Sequence, residues 1–282
     1  MIETETINPS TLKDALVSIA GRNVMAIAGG TDLLVRWHDV HDRPVPRLLV
    51  LDRIKPLHKI NIGKTHITLG PLVTFSEIIR SAQLRKLAPQ LAEAASIAGS
   101  VQIRNRATIG GNIANGSPAG DLIPPLYVLV ANLELSSQKG KRTVSIEEFF
   151  KGPGETILKQ NELIIAIKFE KTYKHGFFLR LATRKALAIS KVSVAVNLSI
   201  KKNIIDDIKI ALGAVAPTVI RAYHTEKYLL GNILNQDSIA EAAKILISEA
   251  RPIDDIRSLA DYRKQMVGVL LERGLREIIK SH

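Results

Sequence analysis

Two Gly-Gly pairs constrain this chain more than any other feature: Ala28-Gly29-Gly30-Thr31-Asp32 and Thr108-Ile109-Gly110-Gly111-Asn112. Glycine permits positive φ angles and close backbone approach, and successive N–H groups in such a turn can converge on an anion. The hydroxyls of Thr31 and Thr108 and the amide of Asn112 would add side-chain donors suited to phosphate oxygens. Each pair alone also reads as a plain tight turn. Neither pair belongs to a GxGxxG or GxxxxGK[ST] pattern, which disfavours a Rossmann domain and a P-loop NTPase. If both loops hold a diphosphate, Gly30→Val or Gly110→Val is expected to abolish cofactor retention by filling phosphate space and disfavouring positive φ.

The surrounding pattern is mixed. Residues 24–28 (VMAIA) and 47–51 (RLLVL) read as short buried strands, and 58–70 alternates around Gly63-Lys64 as a hairpin. Thr74-Phe75-Ser76-Glu77 has capping-box spacing, Pro89 opens a helix over 89–98, and Asp121 precedes an apolar helix over 122–131. Short strands fill 132–169. Runs at 192–200 and 204–214 read as strands, and 221–230, 237–249 and 259–279 read as helices. Without a long βαβ series, the class is α+β. The expected division is 1–172, with subdomains near 1–56 and 57–172, and 175–282 as a small antiparallel sheet with helices; the boundary lies at 170–175.

Cysteine is absent, so any redox centre in the chain is a bound organic cofactor and not a thiolate-held cluster. The histidines never recur at HxxxH or HxH spacing, and the His38/His41 pair reads as a solvated helix end, so no metal site is expected. A net charge of +12 raises nucleic acid as a partner, but residues 1–140 carry 15 basic and 11 acidic groups and 141–282 carry 24 and 16. Both halves are mixed, and aromatics at 4% are too few for stacking platforms, so no nucleic-acid partner is expected. No apolar run spans a bilayer and no secretory signal opens the chain, giving a cytoplasmic expectation. There is no GxSxG, and Ser117 has no evident histidine partner, which disfavours hydrolysis.

AIAGGTDLLVR at 26–36 followed by QIRNRATIGGNIANGSPAGDLIPPL at 102–126 resembles the paired FAD-binding segments of the medium subunit of molybdenum hydroxylases, the xanthine dehydrogenase and carbon monoxide dehydrogenase type. The likeness continues through FFKGPGET at 149–156, ELIIAI at 162–167, LRLATRKALAISKV at 179–192, LGAVAPTVIRA at 212–222 and DYRKQMVGVLLERGL at 261–275. The resemblance implies a fold similar to vanillyl-alcohol oxidase, in which two α+β subdomains clasp FAD and a C-terminal domain closes over it. It implies cofactor contacts from Ala26, Ile27, Ala28, Gly29, Gly30, Thr31, Asp32 and Leu33, and from Thr108, Ile109, Gly110, Gly111 and Asn112. Asp121 would be a hydrogen-bond acceptor, with further contacts from Ala98, Ile164 and Arg180, and Ile189 over the isoalloxazine. Plain readings stand beside these: Asp121 as a helix N-cap, Arg180 as a surface cation, Ile189 as core.

The resemblance further implies an electron-transfer subunit with no catalytic residue of its own for hydroxylation. Electrons would arrive from 2Fe-2S clusters in a small partner subunit, fed by a large molybdopterin subunit, the whole being a dimer of heterotrimers. They would leave to NAD+, a quinone, oxygen or ferredoxin. FFKGPGET and SPAGDLIPP look more like the xanthine and N-heterocycle enzymes than the carbon monoxide enzymes. A stand-alone flavin-dependent alcohol oxidase and a non-catalytic assembly subunit are the alternatives.

Overall fold

The computed structural model describes residues 5–38, 46–171, 175–184 and 188–280. The chain begins β1 (Thr6–Ile7), α1 (Leu12–Ile19), β2 (Val24–Ile27), α2 (Leu33–His38) and β3 (Arg47–Val50), with a parallel sheet ordered β1-β3-β2. Helix α1 carries the chain from β1 to β2, the two strands that flank β3, and its N-terminus is capped by Thr11 Oγ1 accepting from the Asp14 amide at 3.1 Å. Ala15, Ile19, Val24, Leu49 and Leu51 form a first core between helix and sheet. His38 ends α2, while His41 lies outside the described residues.

The hairpin follows as β4 (Ile60–Ile62) and β5 (His66–Leu69), closed by the Gly63 amide donating to the His66 carbonyl at 2.8 Å. Six helices come next: α3 (Phe75–Arg80), α4 (Ala82–Leu87), α5 (Pro89–Ile97), α6 (Val101–Arg106), α7 (Ile109–Asn115) and α8 (Ile123–Val128). Thr74 and Glu77 form the expected capping box, each side chain bonded to the other's backbone amide. The chain then returns to strands with β6 (Asn132–Ser137) and β7 (Gly140–Ser145), α9 (Ile146–Phe149), the short pair β8 (Phe150–Gly152) and β9 (Glu155–Thr156), and β10 (Leu163–Glu170). The antiparallel order β4-β5-β10-β6-β7 places a late strand between the two hairpins. Its apolar side chains, Ile67, Leu69, Leu133, Leu135, Ile167 and Phe169, join Leu91, Ile113 and Leu126 of the helices in the largest core.

Beyond residues 172–174, where the expected boundary falls outside the described residues, come β11 (His175–Ala182), β12 (Ser190–Lys201), β13 (Ile204–Gly213) and β14 (Ile220–Arg221). They form an antiparallel sheet in chain order. Lys202 and Asn203 join β12 to β13 with φ of 50° and 66°, the two-residue hairpin turn that matches strand twist. Helices α10 (Tyr223–Leu229), α11 (Gln236–Glu249) and α12 (Ala260–Lys280) cover this sheet, with Val267, Leu271 and Leu275 buried at four-residue intervals along α12. Helix α8 packs on the opposite face of β12 and β13. Bonds from the Ala214 amide to the Pro118 carbonyl and from the Phe178 amide to the Glu93 carboxylate fasten that junction.

Asp255, before α12, pairs with Arg263 and, at 3.2 Å, Arg257, and the Arg263 contact first of all lowers its carboxyl from 3.8 to about 2. A carboxyl depressed on folding stabilises above its unfolded value and loses that contribution as pH falls through the folded one. In urea titrations, Asp255→Asn should therefore cost stability in full at pH 6, with a penalty that shrinks between pH 4 and 2. A pH-independent penalty would contradict this pairing.

Candidate flavin site

The first glycine pair leaves β2 at Ile27 and turns into α2. Gly30 has φ +75°, and its carbonyl accepts from the Leu34 amide at 3.0 Å, so it is the left-handed residue that lets strand become helix. Gly29 is glycine for another reason: a Cβ there would sit 1.9 Å from the Arg106 carbonyl oxygen, the end of α6 crossing directly over the loop. Among the described residues, the backbone amides from Gly29 to Leu33 have no hydrogen-bond acceptor. Five donors are thus concentrated in one turn, at the positive end of a short helix.

The second pair corrects the sequence expectation. It is no positive-φ nest; Thr108 is an N-cap, and Gly110 and Gly111 lie in the first turn of α7. Its amides are already used. Ile109 donates to the Val73 carbonyl, Gly110 to the Pro71 carbonyl, Gly111 to Thr108 Oγ1 at 3.1 Å and Asn112 to the Thr108 carbonyl. The two glycines also serve different faces. A Cβ on Gly110 would meet Pro71 at 2.5 Å, whereas one on Gly111 would meet only Thr108 Oγ1, at 3.0 Å.

Thr108, Gly111, Asn112 and Asn115 follow the i, i+3, i+4, i+7 spacing of a single helix face, and that face lines a cavity of about 360 Å³. Residues 26–33 line the other side, so the structure brings Ala26, Ile27, Ala28, Gly29, Gly30, Thr31, Asp32 and Leu33 together with Thr108, Gly111 and Asn112. The walls are tied by Asn115 Nδ2 donating to Asp32 Oδ1 at 3.3 Å. Ile109 and Gly110 are on the reverse face, packed in the core. The sequence reading missed Asn115, Phe75 and Ile103, which also line the cavity. Asn115 was discoverable, since it stands four residues beyond Gly111 on the same helix.

The structure gathers Asp121, Arg180 and a residue the sequence reading missed, Ser190, into a second cluster. Arg180 Nη1 donates to Asp121 Oδ2 at 2.5 Å and to the Ala188 carbonyl at 3.3 Å, its Nη2 donates to the Ile97 carbonyl at 2.5 Å, and Ser190 Oγ donates to Asp121 Oδ1 at 2.6 Å. The plain alternatives fail. Arg180 is no surface cation, with its side chain 5% exposed; Asp121 makes no side-chain cap to α8; and Ile189 is 60% exposed, not core. Burial pushes the Asp121 carboxyl above its ordinary range, with the Arg180 charge and the Ser190 hydroxyl pulling the other way. Ala98 closes α5, its carbonyl accepting from Arg104 at 3.1 Å, and Ile164 is buried on β10 opposite Leu135; like Asp121, Arg180 and Ile189, neither lines the cavity.

The donors present fit FAD. Free amides on loop one suit a diphosphate, while Asn112 Oδ1 is buried with no hydrogen-bond partner among the described residues and needs a donor, such as a cofactor hydroxyl. Gly111, without a side chain, leaves the space between them open.

Comparison with known proteins agrees along the chain's length. Residues 2–169 match the family described as FAD binding domain in molybdopterin dehydrogenase, and 177–278 match CO dehydrogenase flavoprotein C-terminal domain. The chain is 31% identical to the glyceraldehyde dehydrogenase medium chain of Sulfolobus acidocaldarius, over 98% of both chains. It is 32% identical to the carbon monoxide dehydrogenase medium chain of Hydrogenophaga pseudoflava, over 93% of this chain and 91% of the other. A solved structure of carbon monoxide dehydrogenase from Hydrogenophaga pseudoflava, lacking the Mo-pyranopterin moiety, superposes with a TM-score of 0.92 at 29% identity, covering 98% of each chain.

Proposed function

Because this chain belongs to the family of FAD-binding domains of molybdopterin dehydrogenases, we propose that it is the electron-transfer subunit of a molybdenum hydroxylase. It would receive electrons from 2Fe-2S clusters of a small partner and pass them to NAD+ or another acceptor, beside a large molybdopterin subunit that selects the substrate. The observation that carries this reading is the row of unpartnered amides from Gly29 to Leu33, facing the polar side of α7 across one cavity.

Bound FAD supplies a centre able to accept electrons singly and release them as a pair. The Gly29–Leu33 amides would hold its diphosphate, helped by the Thr31 and Thr108 hydroxyls. Asn112 Oδ1 would accept from a cofactor hydroxyl. Asp121, fixed by Arg180, would offer a hydrogen-bond acceptor, with Ile189 over the flavin and Ala98 and Ile164 near it, as the family resemblance implies. Residues 1–172 would form the FAD-binding domain and 175–282 the domain that closes on it. The parent complex would be a dimer of heterotrimers in the cytoplasm; among the described residues, no helix is long and apolar enough to cross a membrane.

Purification from the native source tests this directly. The expected result is flavin absorbance at one FAD per chain, with two further chains carrying molybdopterin and 2Fe-2S clusters. A colourless chain that cannot be reconstituted with FAD, or an isolated chain that oxidises alcohols with oxygen, would overturn it.

A further inference from the structure

We infer that Ser190 is a positioning residue for the flavin site: its hydroxyl fixes the Asp121 carboxylate and anchors one side of Ile189. This rests on the flavin reading above.

Ser190 opens β12 and is 1% exposed. A hydroxyl that deep must be paired, and it is, donating to Asp121 Oδ1 at 2.6 Å. The other Asp121 oxygen is held by Arg180, so neither carboxylate oxygen can turn without breaking a charge-assisted bond. Arg180 also bonds the Ala188 carbonyl, on the other side of Ile189. Ile189 therefore stands between two tethered neighbours while its own side chain remains in solvent. Its β-branch stiffens χ1, so fixing the backbone on both sides fixes where the side chain points. The tethers converge on the same carboxylate, which couples the pose of Ile189 to that of Asp121. Replacing the hydroxyl by hydrogen leaves the strand and its packing intact but removes one of the two bonds on Asp121.

The test uses the full chain reconstituted with FAD. Ser190→Ala should raise the FAD dissociation constant about tenfold, the loss of one hydrogen bond to a charged group. It should also shift the flavin midpoint potential, which a role confined to folding would leave alone. Ile189→Ala should shift that potential as well, and combining the two should add little to the larger single effect, because the two residues act through one arrangement. Ser190→Cys, close in size and a weak donor, replaces Ser190→Ala if the latter does not fold. Wild-type affinity and potential in the Ser190 variant, or full additivity with Ile189→Ala, would overturn the inference. A wild-type chain that takes up no FAD would instead overturn the flavin reading, and this inference with it.

Discussion

Arg180→Met is expected to lower the unfolding free energy of the FAD-free chain by about 3 to 5 kcal/mol, the cost of stranding one member of a buried ion pair. Asp121 is 8% exposed and would keep only the Ser190 hydroxyl. The Ile97 and Ala188 carbonyls would lose a donor at the same time. Methionine matches the length of the arginine stem, so lost packing contributes little. The pH dependence has a definite sign. Burial already raises the Asp121 carboxyl, and removing its cation raises it further; the carboxyl can then escape the penalty by taking a proton, so the defect is largest near pH 8 and smaller near pH 5. Adding Asp121→Asn to Arg180→Met should recover part of the loss, whereas Arg180→Lys should fall between, since an ammonium cannot span the acceptors as a planar fork does. Urea titrations at both pH values check all three; a loss under 1 kcal/mol for Arg180→Met would show that the pair does not bear on stability.

Gly111→Val and Gly110→Val should separate binding from folding. At Gly111 the added side chain enters the cavity and meets little else, and valine is no worse than glycine inside a helix, so FAD affinity should fall by about 100-fold or more while the FAD-free chain melts near its normal temperature. At Gly110 the side chain meets Pro71 backbone, so the chain itself should lose about 1 to 3 kcal/mol, with flavin lost as a consequence. Thermal denaturation of both FAD-free variants beside flavin titration distinguishes the outcomes. Equal destabilisation by the two would contradict the division of α7 into a cavity face and a core face.

Local signals in the sequence located most elements. The Gly63 turn, the Thr74–Glu77 box and Pro89 at the start of α5 each act within four residues, and all three appear where expected. The first glycine loop was legible for the same reason, since a strand must end before Gly30 can turn left-handed. The second was misread because glycines carry no side chains to reveal a helical period, so the first turn of a helix looks like a loop. Thr108 as N-cap was the available clue. Long-range causes were hidden. Gly29 is required by the Arg106 carbonyl, and the burial of Arg180 by Ile97 and Asp121, partners that only the folded chain brings near. Ser190 carried no local signal.

The crossing of Gly29 under the Arg106 carbonyl also bears on when a cofactor can bind. The walls of the cavity come from distant stretches of chain, and this contact joins them through backbone alone, so neither wall is a binding surface until the entropy of closing the intervening loop has been overcome. A cofactor that needs both walls is therefore expected to bind late, once α6 lies over the first loop, and to act by stabilising the finished fold and not by starting it.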